Sequence, residues 1–316
     1  MIAGKHMRAA RRLARAHRAA AVQYAAMLLA LVRSLRPAQW SKNVFVFAPL
    51  VFAHLLFDRQ AVLNALMAFA AFCAAASAIY LVNDVRDREE DRRHPLKSKR
   101  PIARGDLGVG PALVAALLLA GGAVALAWRL GGAFTGLLAG YVGLNLLYSL
   151  ILKHMVILDV MSIAGGFVLR VLAGAAAVGA AVSNWLILCT TFLALFLAFS
   201  KRRHELLLMQ EGAAEQRRVL EHYSPAFLDQ MINVVTASAV VSYALYAVAP
   251  ETVQKFHTER LVFTIPLVLF GIFRYLYLTY QRAELRNPTE AILRDVPFLV
   301  NMALWGLVVL WIVSRA

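Results

Sequence analysis

Apolar residues come in long blocks along this chain, and the polar residues gather between them. Nine blocks stand out, at 43–57, 61–82, 111–130, 132–151, 158–180, 184–200, 229–249, 261–280 and 296–314. Within each block the apolar positions run around the whole helix circumference instead of keeping to one face, which argues against the amphipathic helices of a soluble bundle. A helix needs about 20 residues to cross a hydrocarbon core roughly 30 Å thick. The first block is short and interrupted by Pro49; the others approach that length. The pattern predicts an all-α, polytopic membrane protein with nine transmembrane helices and mostly short connections.

Lysine and arginine then give the orientation. With the N-terminus inside, 26 of the 33 fall in the segments 1–42, 83–110, 152–157, 201–228 and 281–295. Five lie on the other side (Arg59, Arg129, Lys255, Arg260 and Arg315), and Arg170 and Arg274 lie within blocks. This asymmetry predicts a cytoplasmic N-terminus in a cytoplasmic (inner) membrane. The formal charge of +15, in a chain that is 61% hydrophobic and 16% charged, therefore belongs to topology and the anionic leaflet. It is no sign of a nucleic-acid partner.

Residues 1–36 are basic and then apolar from Ala19 to Val32, too short a run to span and with no cleavage site after it. They read as an amphipathic segment at the membrane interface, ahead of a transmembrane domain over 37–316. Cys73 and Cys189 fall inside blocks; neither a disulfide framework nor a zinc spacing is present.

The polar residues collect at one face. Blocks two, four, six and eight end inward at Asn83, in "NLLYSLILKH", in "LAFSKRRHEL" and in "FRYLYLTYQR". The densest charge is the stretch "YLVNDVRDREEDRRHPLKSKRPIARG" at 80–105, with five acids and eight bases. Asn83, Asp87 and Asp91 are spaced i, i+4, i+8, with Asp84 beside them, so a continuing helix carries them on one face. Carboxylates crowded in this way repel one another unless a cation lies between them. Mg²⁺ takes oxygen ligands and commonly bridges carboxylates to substrate phosphates. Lys97, Lys99 and Arg100 follow at once, suited to the same phosphates. Charged loops are ordinary on membrane proteins; the position of this one, among other polar inward ends, sets it apart.

Block five supplies an opposing wall. Asp159 opens it, after Lys153 and His154, and Arg170 lies eleven residues on, nearly the same helical face. A charged residue inside a membrane helix faces the protein interior and marks either an anion site or a buried ion pair between helices. Arg274 has a simpler alternative, snorkelling to the interface. Tyr148 lies beside the polar stripe Asn145, Ser149 and Lys153. The spaced glycines Gly136 and Gly140, with Gly165, Gly166 and Gly174, read as helix packing, and His94 and His204 read as solvated.

"NDVRDREED" followed by "HPLKSKRPIARG" resembles the first aspartate motif, and its basic continuation, of the UbiA superfamily of intramembrane prenyltransferases. The resemblance implies a UbiA-like bundle of nine helices with a Mg²⁺–diphosphate site facing the cytoplasm. Aromatic prenyltransferases of the superfamily usually carry a second D-x-x-x-D, whereas Asp159 here stands alone. That departure, with "RPAQWSKN", "KRRHEL" and "NPTEAILRD", is similar to the decaprenyl-phosphate phosphoribosyltransferase branch. Members of that branch move 5-phosphoribose from phosphoribosyl pyrophosphate to a polyprenyl phosphate.

On that resemblance, Asn83, Asp84, Asp87, Asp91 and Asp159 hold Mg²⁺. Asp87, Asp91, Asp159 and Lys153 are the expected catalytic residues. Lys42, Asn83, Tyr148, Lys97, Arg100, Arg170, Lys201, Arg202, Arg203 and Arg274 are the expected substrate ligands. The lipid phosphate is already anionic, so no general base is required; the need is for cations that bring two anions together. The implied partners are phosphoribosyl pyrophosphate, a polyprenyl phosphate and the bilayer, with association into a homo-oligomer left open. Two other readings stand beside this one. Polyprenyl transfer to an aromatic acceptor such as 4-hydroxybenzoate is disfavoured by the solitary Asp159. An anion transporter is disfavoured by the lack of an internal repeat.

Overall fold

The computed structural model describes residues 24–94, 97–210, 218–281 and 294–315. The basic segment 1–23 and residues 287–293 of "NPTEAILRD" lie outside them. Among the described residues eight helices are long and apolar enough to cross a membrane. They are α1 (Arg59–Arg86), α2 (Val109–Leu130), α3 (Gly132–Leu150), α4 (Leu158–Val178), α5 (Asn184–Gln210), α6 (Pro225–Val248), α7 (Ile265–Gln281, its span lengthened by the 3₁₀ turn Arg260–Thr264) and α8 (Val296–Ser314). The all-α polytopic class is as expected, one spanning helix short of the expected nine.

The difference lies at 43–57. There the chain forms a 3₁₀ stretch, Pro37–Phe47, and a five-residue helix, Ala48–Phe52, with Pro49 in its first turn. Proline has no N–H and is tolerated only at a helix start, so an α-helix can begin at this point but cannot run through it. At the other end His54, with φ of 61°, turns the chain away. A second difference is length: α5 continues to Gln210, past the expected end at 200.

The chain divides into two compact units, the first drawn from Met1–Val44 and Phe69–Arg129, the second from Phe45–Ala68 and Leu130–Ala316. In the first, Leu81, Ile102, Leu107 and Ala112 are buried together with Ala30 of the short helix Tyr24–Ser34. Trp40 Nε1 donates to Ser77 Oγ at 3.0 Å, and Ser77 Oγ donates to the Leu35 carbonyl at 3.0 Å. These bonds tie the proline-rich approach to α1.

In the second unit, Phe196, Phe199, Leu220, Leu228, Ile232 and Tyr275 form the largest buried cluster, where α5, α6 and α7 meet. The glycine reading holds at Gly174 on α4, where an added Cβ would lie 2.1 Å from the Val46 carbonyl oxygen. It fails at Gly136, whose Cβ position has nothing within 4 Å.

Candidate functional site

Two clusters of charge stand out, one in each unit. The first is built by the end of α1 and the basic stretch after it. The helix breaks at Asp87, which leaves helical geometry (φ −89°, ψ 8°) before a short helix, Arg88–Arg93. The i, i+4 backbone bonds Asp87 N to Asn83 O (2.8 Å) and Asp91 N to Asp87 O (2.9 Å) nevertheless persist. Side chains two turns apart therefore still share a face, and the two that come together are Asp84 and Asp91, each 3% exposed.

Arg100 joins them. Its Nη1 lies 3.0 Å from Asp84 Oδ1 and 2.6 Å from Asp91 Oδ2. Arg36 donates to the same Asp84 oxygen and lies 4.8 Å over the Tyr80 ring. Arg36 has a φ of 55°, a conformation that non-glycine residues adopt only when their surroundings hold them there. The cluster thus contains two buried acids against two half-exposed arginines.

The expected face is redistributed. Asp87, at 34% side-chain exposure, pairs with Arg86 Nε at 2.9 Å instead of joining Asp91. No three His, Cys, Asp or Glu side chains converge on one point among the described residues. The donor chemistry still fits Mg²⁺: two buried carboxylates sharing one guanidinium form an all-oxygen, cation-demanding pair. Lys97 and Lys42 stand on 3₁₀ segments, Lys97–Lys99 and Pro37–Phe47.

The second cluster centres on Asp159 in the first turn of α4, with no exposure at all. Arg202 Nε donates to its Oδ2 at 2.6 Å and the Tyr223 hydroxyl donates to its Oδ1 at 2.7 Å. The other terminal nitrogens of Arg202 reach Glu205 and, at 3.0 Å, the Tyr148 hydroxyl. Asp159 thus has both oxygens engaged by protein donors, and Arg202, 1% exposed with each guanidinium nitrogen engaged, braces α5 against α4. The cause is the extra length of α5, which carries Arg202 back against α4.

Tyr223 also accepts the Ile157 N–H at 2.7 Å. Ile157 has φ 69° and ψ −45°, and the Leu158 N–H reaches the Val156 carbonyl at 2.8 Å, closing a γ-turn of a strained kind. Burial raises the Tyr223 hydroxyl pKa above its ordinary value, and the bond to Asp159 adds to the rise, so this phenol remains a donor.

The remaining expected residues scatter. Arg203 donates to Asp229 and stacks 4.0 Å over the Tyr280 ring, while the Tyr280 hydroxyl bonds the same Asp229 oxygen at 2.7 Å. Arg274 forms a two-pronged pair with Asp295 at 3.0 and 2.8 Å, joining α7 to the start of α8. Arg170 donates to the Gly166 carbonyl (2.8 Å) and to the Tyr141 hydroxyl (2.9 Å), stacked between Tyr141 and Phe167. Lys201 is exposed, 3.6 Å from Glu205, and Lys153 is half-buried on the turn Leu152–His154. His204, expected in solvent, is 8% exposed, and its Nε2 is buried without a hydrogen-bond partner among the described residues.

The second unit also holds an apolar cavity of about 600 Å³, lined by Phe45, Phe52, Trp185, Tyr246 and Trp305 among others. Its polar tips are satisfied internally. Trp305 Nε1 donates to Tyr243 Oη at 3.1 Å, and that hydroxyl shares a 2.7 Å bond with Thr264. Most of what faces the void is hydrocarbon and ring, with Glu251, Lys255 and Asn301 also on its wall.

Comparison with known proteins follows the same lines. The model of the UbiA prenyltransferase family matches residues 58–294. The chain belongs to that family. A relative from Corynebacterium glutamicum, named decaprenyl-phosphate phosphoribosyltransferase, is 40% identical over 220 residues, 68% of this chain and 66% of its own length. This chain thus spans just under two thirds of that relative. The protein of the same name from Mycolicibacterium smegmatis is 37% identical over 232 residues, 72% of this chain and 73% of its own. A solved UbiA homologue from Archaeoglobus fulgidus, bound to GPP and Mg²⁺, shares the fold at a TM-score of 0.66 and 18% identity, over 90% of this chain and 97% of that one. The UbiA membership read from the 83–91 motif is thereby borne out, and the UbiA fold accounts for the succession of spanning helices.

Several engaged residues were missed in the sequence. Asp229 was findable, as the one charged side chain within α6. Arg36 and Tyr223 carried no signal of their own, because their partners lie 48 and 64 residues away.

Proposed function

We propose that this UbiA-family chain transfers 5-phosphoribose from phosphoribosyl pyrophosphate to a polyprenyl phosphate, releasing pyrophosphate, in a Mg²⁺-dependent reaction. The observation that carries the reading is the agreement of two relatives bearing the decaprenyl-phosphate phosphoribosyltransferase name, at 40% and 37% identity. The geometry supports it. Among the described residues of the first unit Asp84 and Asp91 form the one buried carboxylate pair that shares a cation, and Asp159 is already engaged by Arg202 and Tyr223. A single acidic pair amid many cations suits a donor that carries a 5-phosphate as well as a diphosphate.

Asp84 and Asp91, helped by Asn83 and Asp87, would hold Mg²⁺, which when bound neutralises charge on the departing pyrophosphate. Arg100, Arg36, Lys97 and Lys42 bind and orient the anionic donor. Arg202 acts through Asp159, keeping the first turn of α4 and Tyr148 in place. The isoprenoid tail of the acceptor lies in the 600 Å³ apolar cavity. The chain sits in the inner membrane with its N-terminus cytoplasmic, following the distribution of lysine and arginine.

The test supplies radiolabelled phosphoribosyl pyrophosphate, a polyprenyl phosphate and Mg²⁺ to detergent-purified protein. Label is expected to pass into the lipid phase and to stay in water with EDTA. Transfer from a polyprenyl diphosphate to 4-hydroxybenzoate, without ribosyl transfer, would overturn the proposal.

A further inference from the structure

Arg100 occupies the position between Asp84 and Asp91 that a metal ion would claim. Two carboxylates at 3% exposure cannot remain charged side by side without a cation, because desolvation removes water's compensation. Here the cation beside them is the Arg100 guanidinium. Arg100 reaches both acids through the same nitrogen, Nη1, leaving Nε and Nη2 of the fork uncommitted to them. Its side chain is 29% exposed, against 3% and 4% for the acids, so it approaches them from the open side. Arg36 meets Asp84 alone and cannot perform the same bridging.

From this we infer that Arg100 is an exchangeable internal cation. It neutralises Asp84 and Asp91 while no metal is present, and it passes to the donor's diphosphate when a divalent ion takes the two carboxylates. A guanidinium fork suits that second role, since it matches phosphate oxygens in pairs. The metal must displace Arg100 to bind, and displaced Arg100 favours an incoming anion. Metal and diphosphate therefore bind cooperatively, each weakly on its own. The inference rests on the proposed function, because it takes the pair as the diphosphate–metal site, and it adds an order to the site: the protein guards its metal ligands until the donor arrives.

The two halves of the exchange predict opposite effects of one substitution. In Arg100→Gln the guard is gone, so Mn²⁺ alone, followed by loss of the free-ion EPR signal, binds about tenfold more tightly than to wild type. In the same variant, labelled pyrophosphate retained at saturating Mg²⁺ falls by about tenfold or more, because its guanidinium partner is missing. Arg100→Lys, which keeps the charge but not the fork, falls between the two in both measurements. A merely structural arginine would move both affinities down together. Equal Mn²⁺ affinity in wild type and Arg100→Gln, or a fall in both, overturns the exchange while leaving the proposed function standing. If wild type retains no pyrophosphate in Mg²⁺, the site reading fails and the exchange with it. Should Arg100→Gln not fold, wild type decides: Mn²⁺ and pyrophosphate binding that are independent of each other overturn the exchange.

Discussion

Arg202 and Asp159 form an ion pair 2.6 Å long between α5 and α4, with 1% and 0% of their side chains exposed. Removing one member strands the other without water, which costs about 3–5 kcal/mol for buried pairs. Asp159→Asn is expected near the lower end of that range, since Arg202 keeps Glu205. Thermal unfolding in detergent checks this, and Asp159→Asn/Arg202→Met should recover much of the loss. If Asp159 were a metal ligand, Asp159→Asn would lower Mn²⁺ affinity and leave the unfolding temperature unchanged.

Gly174 marks a second fixed point. Because a Cβ there would lie 2.1 Å from the Val46 carbonyl oxygen, a backbone atom that cannot rotate away, Gly174→Ala must push α4 off the Val46 segment. Overpacking of this kind costs about 1–3 kcal/mol. Gly136→Ala, on an open surface, is expected to unfold at the wild-type temperature and serves as the comparison. Equal unfolding temperatures for the two variants would mean the contact is not held in the membrane.

These two sites show what the sequence could and could not carry. All-round apolarity over about 20 residues depends only on local composition, so the spanning helices could be read from it, apart from 43–57, where Pro49 outweighed the apolar count. The acidic stretch at 83–91 could be singled out because its members are neighbours along the chain. Which acids pair was not legible. The 83–87–91 spacing assumed a helix uninterrupted at Asp87, and the decisive bridge, Arg100, comes from nine residues beyond Asp91. The fate of Asp159 was hidden for a different reason: its partners Arg202 and Tyr223 reach it through packing of α5 and the 218–223 segment.

Tyr223 connects that packing to pH. Burial raises its pKa from about 10, so the folded chain keeps the phenol protonated where an unfolded chain begins to lose it. The native state then binds more protons than the unfolded state, and stability must fall as pH rises. The contribution of Tyr223 is complete below about pH 10 and declines above it until the folded pKa is reached. Tyr223→Phe should therefore be less stable than wild type at pH 8, having lost the bonds to Asp159 and Ile157, and should lose stability more slowly between pH 10 and 11. Parallel unfolding curves for the two proteins across that window would exclude Tyr223 as the group responsible.

Asp84 and Asp87 separate the roles of the acidic motif. Asp84 is buried and bonded to both Arg36 and Arg100, whereas Asp87 is half-exposed and bonded to its neighbour Arg86. Asp84→Asn should therefore lower both stability and transfer, because two arginines lose an anion in a dry site. Asp87→Asn should leave the stability within about 1 kcal/mol of wild type, as exposed pairs contribute little. Its transfer activity should nevertheless drop by roughly a hundredfold, if it completes the oxygen shell of the divalent ion. EDTA treatment followed by Mg²⁺ titration distinguishes the causes. Asp87→Asn should need more Mg²⁺ for its residual activity, and raising the Mg²⁺ concentration should restore part of the rate. Full activity in Asp87→Asn at ordinary Mg²⁺ would restrict the metal site to Asp84, Asp91 and Asn83, while loss of activity with unchanged Mg²⁺ dependence would assign Asp87 to the donor instead of the ion.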